Sequence, residues 1–127
     1  MTAFVLVAAL IVVASCQPST VKSELSGSDS LVIRFASGRT VATTEAKAIR
    51  RLVRFVDGGS CDTSPCRTDG VMQFFEKEMR RQSVSFSYRD ETCRCFQMHA
   101  GGEVLRTHLS REAADFLSSL EAGRNWY

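Results

Sequence analysis

Cysteine and histidine are the residues of this chain whose types and spacing could support covalent, metal or acid–base chemistry. The chain of 127 residues contains five cysteines and two histidines. Four cysteines form two close pairs, Cys61 with Cys66 and Cys93 with Cys95, whereas Cys16 stands apart in the amino-terminal segment. Two disulfides, a four-thiolate zinc site and a redox pair are the chemistries open to such a set.

The spacing within the two pairs favours disulfides between them. In a strand, Cys93 and Cys95 project from the same face about 6.6 Å apart, whereas the Cβ atoms of a relaxed disulfide lie about 4 Å apart. Each is therefore better matched to a cysteine of the Cys61–Cys66 loop, although a bridge from Cys61 to Cys66 stays open. Zinc would need reduced thiols, and its usual knuckles are spaced C-x2-C. We expect structural disulfides and no metal ion or other cofactor.

The two histidines offer a weaker possibility. His99 and His108 flank a predicted turn that also holds Glu103, and two imidazoles with a carboxylate could serve as acid and base in a small hydrolase or ribonuclease. No nucleophile elbow, H-E-x-x-H motif or phosphate loop accompanies them. Surface histidines are the commoner explanation, so no catalytic residue is predicted.

Basic residues on a predicted helix are the main candidate for binding. They are Lys47, Arg50, Arg51 and Arg54, and Arg80 with Arg81 form a second cluster. These basic residues either lie on helix faces that simply contact solvent or form a patch that binds an acidic protein. The formal net charge of +2 and the absence of interleaved aromatic residues argue against nucleic acid. The terminal Trp126 and Tyr127 either fold onto the core or anchor a partner.

The amino-terminal segment predicts export. Residues Phe4 to Ala14 form an unbroken apolar run followed by small residues. That length suits the hydrophobic region of a signal peptide over residues 1–15, whereas a membrane span needs about 20 apolar residues. In an exported protein, Cys61, Cys66, Cys93 and Cys95 would be oxidised as two disulfides.

The four residues Val13-Ala14-Ser15-Cys16 resemble the lipobox of bacterial lipoproteins. This resemblance implies lipid attachment to the Cys16 thiol, cleavage before it and acylation of the new amino terminus. It implies a periplasmic protein anchored in a membrane, with the outer membrane favoured because Gln17 is not the aspartate that typically retains lipoproteins in the inner membrane. A signal peptide cleaved on either side of Cys16, leaving a secreted protein, fits the same segment.

The rest of the chain is predicted to be a flexible tether followed by one domain. Residues 16–30 contain the lipidated cysteine and a stretch rich in Ser, Thr and Gly with few apolar residues, which is typical of a linker. Residues 31–127 form the domain, which is of a size for one hydrophobic core.

Hydrophobic periodicity predicts seven elements that position these residues. They are strand 31–37, helix 44–56 with Thr43 or Thr44 as its cap, helix 70–81, strands 83–88, 92–98 and 104–109, and a final helix capped by Ser110 and ended by Gly123. The predicted apolar sides are Ala46, Ile49, Leu52, Val53 and Val56 in the first helix, Val71, Met72, Phe75 and Met79 in the second, and Ala113, Phe116, Leu117 and Leu120 in the last. A turn at Gly101-Gly102 is predicted between the last two strands. The order β-α-α-β-β-β-α predicts an α+β domain, with an antiparallel meander and helices packed on one face.

A binding module is the function that these observations favour. Small bacterial lipoproteins of this design include inhibitors of lysozyme-like enzymes, immunity proteins against envelope-directed toxins and accessories of secretion machines. The alternatives are the hydrolase or ribonuclease built on the two histidines, a purely structural envelope component, and a secreted disulfide-rich binding protein without a lipid anchor.

Overall fold

An antiparallel sheet of six strands organises the described part of the protein. The computed structural model describes residues 21–61 and 67–124. The elements are α1 (Val21–Leu25), β1 (Ser30–Phe35), β2 (Thr40–Thr43), α2 (Ala46–Val56), β3 (Gly70–Glu76), β4 (Met79–Ser87), β5 (Cys95–Ala100), β6 (Glu103–His108) and α3 (Arg111–Glu121). The strands lie in the order β2-β1-β3-β4-β5-β6. The predictions for Cys16, Cys66, Trp126 and Tyr127 lie outside the described residues.

The core lies between one face of this sheet and the helices. Burial alternates along β1, where Leu31, Ile33 and Phe35 are buried and Arg34 is exposed. The buried strand residues belong to the same hydrophobic cluster as the buried residues of α1, α2 and α3. The helices therefore pack on this face, which we name the core face, and residues such as Arg34 lie on the opposite, open face. The expectation of a small α+β domain is confirmed.

The helix predicted over residues 70–81 is wrong, because this segment forms the hairpin of β3 and β4. Met72 and Phe74 are buried and alternate with partly exposed neighbours, while Met79 is 74% exposed. Glu76 pairs with Met79 across a two-residue turn, in which Lys77 has φ 52° and Glu78 has φ 69°. Such turns usually contain Asn or Gly. Strong helix formers stand here instead, so the turn had no signature in the sequence.

Two further differences concern the start of the domain. Residues 21–30 belong to the folded part rather than to the predicted tether, since Val21 and Leu25 of α1 are buried in the core. The domain thus begins by Val21 and not near Leu31. The short strand β2, which pairs with β1 across the turn at Gly38, was not predicted.

Helices α2 and α3 confirm their predicted amphipathic patterns. Helix α2 buries Ile49, Leu52, Val53 and Val56 as expected, but Ala48 rather than Ala46. The predicted cap by Thr43 or Thr44 is wrong, because the cap position is Glu45, whose side chain makes no capping bond. Thr43 Oγ1 instead accepts from the Glu45 N–H at 3.0 Å. In α3, Ser110 Oγ accepts from the Ala113 N–H at 3.1 Å, as predicted for the cap.

A disulfide joins the segment after α2 to the sheet. Cys61 is bonded to Cys95 at the start of β5, with the two Cα atoms 6.0 Å apart. This pairing agrees with the expected clamp between the loop and the meander, and it excludes both the Cys61–Cys66 bridge and a four-thiolate zinc site. Cys93, which precedes β5 rather than lying within it, is also disulfide-bonded.

The same segment covers one edge of the sheet. The His108 N–H donates to the Gly59 carbonyl at 2.7 Å, and the Cys61 N–H donates to the Arg106 carbonyl at 3.2 Å. Backbone groups on the outer side of β6 are thereby paired, which protects this edge from association with another strand. The disulfide and these bonds hold the carboxyl end of α2 against the sheet.

Within residues 21–61 and 67–124, no helix has both the length and the apolar character needed to cross a membrane.

Candidate functional site

Three cations on the exposed side of α2 form the candidate site. Lys47, Arg50 and Arg54 are exposed, and within the described residues none of them makes an ion pair. We name these three residues the α2 cationic surface. Their positions i, i+3 and i+7 place them along one side of the helix over about 10 Å. The buried residues on the other side of α2 hold the helix against the core, so this orientation is a property of the fold.

A groove lies beside this surface. It has a volume of about 650 Å³ and lies between α2 and the residues at and after the end of α1. Leu25, Ser26 and Ser28 contribute from the α1 side, while Ile49 and Val53 contribute from α2. These apolar side chains are almost fully buried, and Lys47, Arg50 and Arg54 line the groove beside them.

Arg51 has a different role from its neighbours. Its guanidinium carbon lies 4.2 Å from the ring centroid of Phe116 and 5.6 Å from that of Phe55. Such cation–π contacts contribute about 0.5–2 kcal/mol. Arg51 therefore helps to join α2 to α3, in addition to lining the groove.

The charge pattern of α2 disfavours the isolated helix. Lys47 and Arg51, and likewise Arg50 and Arg54, are like charges at i, i+4, which destabilise a helix by about 0.2–0.5 kcal/mol a pair. No acidic residue lies in the first turn of α2. An external anion would relieve this repulsion, because opposite charge at the same positions is stabilising.

The second predicted basic cluster does not form one surface. Arg81 makes an ion pair with Glu76 at 2.7 Å and lies against Gly27, next to the groove. Arg80 is paired in register with Phe75 near the turn of the β3–β4 hairpin, and it is exposed. Neither residue lies at the carboxyl end of a helix, because the predicted helix is absent from this segment.

The structure separates the candidate acid–base residues. His99 is paired with Val104 and His108 with Cys95, so the histidines lie at opposite ends of the β5–β6 hairpin. Four residues along β6 correspond to about 13 Å, which is too far for both imidazoles to act on one bond. Glu103 is paired with Ala100 and, by strand alternation, faces away from His99.

A buried tyrosine cluster was not anticipated from the sequence. The Tyr88 hydroxyl and the Arg89 guanidinium both donate to the Glu121 carboxylate. Asp69 Oδ2 accepts from the Tyr88 and Arg89 N–H groups at 2.7 and 3.0 Å. These bonds join the end of β4 to the end of α3, and their long sequence separations explain why no local pattern revealed them.

The titration of this cluster suits a structural role. Burial, followed by the hydrogen bond to Glu121, raises the pKa of Tyr88 to about 12. Burial acts to raise the pKa of Glu121 as well, but hydrogen bonds from Tyr88 and Ser37 and the charge of Arg89 outweigh it and lower this pKa. At neutral pH, Tyr88 is thus a neutral donor and Glu121 a charged acceptor, and neither is poised to transfer a proton.

Metal binding finds no support in the described residues, where no group of three or more His, Cys, Asp or Glu side chains is arranged to hold an ion.

Comparison of the chain with protein-family models, with curated proteins and with solved structures finds no match.

Proposed function

We propose that this protein is an exported, lipid-anchored binding module that engages an acidic protein through the α2 cationic surface. The observation that carries the proposal is the presence of Lys47, Arg50 and Arg54 on one helix face, exposed and without ion pairs in the described residues. Arginine provides directional hydrogen bonds to carboxylates and is enriched in binding hot spots.

The position of α2 supports this proposal. A binding surface on a rigid element loses little conformational entropy when the partner docks. Helix α2 is held by its buried side, by Arg51 against Phe116, and by the disulfide-linked segment that follows it. The partner classes proposed are an envelope-acting toxin or hydrolase that is held inactive, or a component of a secretion machine.

Lipidation at Cys16 is the part of the proposal that concerns location. It places the domain in the periplasm, with the outer membrane favoured. The disulfide between Cys61 and Cys95 supports an oxidising compartment, because disulfides are rare in reducing cytosol. We expect a palmitate analogue to label the wild-type chain in cells and to leave Cys16→Ser unlabelled. An unlabelled wild-type chain would reject the anchor while leaving the binding proposal intact.

Affinity capture from an envelope extract tests the binding proposal. We expect the oxidised protein to retain a stoichiometric acidic partner, and the double variant Arg50→Glu with Arg54→Glu to lose it by roughly tenfold or more, because like charges would then face each other. Binding of the partner should also weaken as salt is added, because the Debye screening length, which is about 10 Å at 0.1 M salt, becomes shorter.

Arg34→Glu is the matched control for Arg50→Glu alone, because each of these single reversals changes the net charge by the same amount. Arg34 is exposed on the open face, opposite the helices, so its charge reversal changes the net charge without changing α2. Both variants should keep the wild-type circular dichroism spectrum. Equal loss in the control and in the α2 variant would show a nonspecific charge effect and would reject the α2 surface as the binding site.

A further inference from the structure

We infer that the occupant of the α1–α2 groove is an acidic α-helix of the partner protein, lying along α2. This inference rests on the proposed function and specifies the partner's local structure. It follows from the backbone around the groove, from the spacing of the cations and from the side chains that line the groove.

The backbone around the groove presents no strand edge among the described residues. The lining residues belong to α1, to the turn that follows it and to α2. In α2 the Ile49 N–H donates to the Glu45 carbonyl at 3.0 Å, and only the N–H groups of the first turn lack an intrahelical partner. After α1, the Ser28 and Asp29 N–H groups are bonded to the Leu25 and Phe75 carbonyls at 3.1 and 2.8 Å. An extended peptide would find no edge to pair with here, whereas a helix brings its own hydrogen bonds.

The spacing of the cations fits a second helix. Lys47, Arg50 and Arg54 recur every three or four residues, so neighbouring charges lie about 5–6 Å apart. Carboxylates at i, i+4 and i+7 of a partner helix follow the same spacing. An extended strand presents same-face residues about 6.6 Å apart, so its register drifts from that of the cations over three contacts.

The exposure of the residues that line the groove determines which side chains a partner helix can contact. Leu25, Ile49 and Val53 are nearly buried already, so they leave little accessible apolar surface for a large anchor residue. Lys47, Arg50 and Arg54 also line the groove, and the long stems of such side chains offer apolar contact surface. The partner helix is thus expected to be rich in Glu and Ala along the contact, and to bind with a strong dependence on salt.

Designed peptides test this inference directly. The probe is an alanine-rich helical peptide of about 16 residues with glutamates at i, i+4 and i+7. The first control has the same composition with the glutamates distributed around the helix. The second control has the same charge, with prolines that prevent a helix. Binding to the purified oxidised chain carrying Cys16→Ser is measured by fluorescence anisotropy.

We expect the in-register helical peptide to bind roughly tenfold more tightly than either control, and Arg50→Glu with Arg54→Glu, but not Arg34→Glu, to remove this difference. Equal binding of the three peptides, tighter binding of the proline peptide, or no binding of any peptide would overturn the inference. So would displacement of the helical peptide by vesicles of anionic phospholipid at matched charge, since that result would make the surface a lipid-headgroup site.

Failure here is distinguishable from failure of the proposed function. If envelope capture depends on Arg50 and Arg54 while the peptides bind equally, the surface binds a protein without a helix in the groove. If the helical peptide binds selectively and the envelope retains no partner, the groove is helix-selective and the proposed partner class is wrong.

Discussion

Tyr88 shows how a single buried residue joins distant parts of this chain. It is 5% exposed, and its hydroxyl bonds to Glu121, which lies 33 residues away. Burial of a hydroxyl without a partner costs about 1–3 kcal/mol, so the carboxylate acceptor is required where it stands. Arg89, which lies beside both residues, balances the charge of that carboxylate.

The titration of Tyr88 gives a prediction at this scale. The chain has two tyrosines, so Tyr127→Phe leaves Tyr88 as the only phenol. We expect its ultraviolet titration in the folded state to have a midpoint at about 12, and at about 10 in denaturant. Because the folded-state pKa is the higher one, the associated stability is present below pH 10 and lost as the pH rises towards 12.

Glu121→Gln is the control for the cause of this shift. This substitution removes the negative charge beside Tyr88, so the midpoint of the Tyr88 titration should fall. It should stay above about 10, because the Tyr88 ring is still buried. A folded-state midpoint of about 10 in the Tyr127→Phe chain would contradict the buried position of Tyr88. Circular dichroism at each pH is needed to show that the chain is still folded.

At the scale of elements, the β3–β4 hairpin depends on tertiary burial more than on local preference. Val71, Met72, Phe75 and Met79 are compatible with a helical stripe, and the residues around the turn are good helix formers. In the sheet, however, Met72 and Phe74 are fully buried beneath the helices. Strands β1 and β4 pair with β3 on its two sides, so non-local contacts outweigh the helical preference.

The turn of this hairpin gives a prediction that distinguishes the β3–β4 hairpin from a helix over residues 70–81. Lys77→Asn with Glu78→Gly should stabilise the protein by about 1 kcal/mol, because both positions have positive φ and these residues adopt it readily. In a helix over the same residues, the glycine alone would destabilise by about 1 kcal/mol.

Urea unfolding at neutral pH measures this difference. Lys77→Ala with Glu78→Ala is the matched variant, since alanine favours a helix and disfavours the turn. A chain that is stabilised by the two alanines and destabilised by the Asn and Gly residues would contradict the hairpin.

At the scale of the whole molecule, the Cys61–Cys95 disulfide connects the helical layer to the sheet. It spans 34 residues of sequence and encloses the hairpin that carries much of the core. The segment beside it also pairs with β6. The bond thus restricts the position of the end of α2 and holds the segment that covers the β6 edge of the sheet.

Removal of this disulfide is predicted to lower the free energy of unfolding by about 2–4 kcal/mol, because the unfolded chain regains the entropy of an open loop. The variant is Cys61→Ser with Cys95→Ser, compared with the oxidised wild-type protein by urea unfolding. Cys16→Ser is the control and should leave the free energy of unfolding unchanged. A loss below about 1 kcal/mol in the double variant would show that the clamp is dispensable.

This stability also bears on the proposed binding. If the clamp only stabilises the fold, the double variant should keep the affinity of the wild type for the captured partner at temperatures where it is still folded. A loss of affinity without unfolding would show that the disulfide also orients α2. Either result leaves the charge requirement of the α2 cationic surface to be tested by its own variants.

Local sequence patterns determined several elements of the fold. Two amphipathic helices, the β5–β6 hairpin with its Gly101-Gly102 turn, and the Ser110 cap follow from signals carried by neighbouring residues, since periodicity and caps act over a few positions. The basic side of α2 was also evident, because it is the polar complement of an apolar stripe. The cysteine spacing indicated the clamp between the loop and the sheet.

Only the tertiary structure decided the remainder. The burial of Val21 and Leu25 adds α1 to the domain and so creates the groove beside α2, although the segment reads as a linker. Strand β3 and the amino-terminal part of β4, which lie in the segment predicted as a helix, and the separation of His99 from His108 depend on pairing between distant residues. Such contacts are selected by the burial of shared apolar surface, which no short stretch of sequence contains.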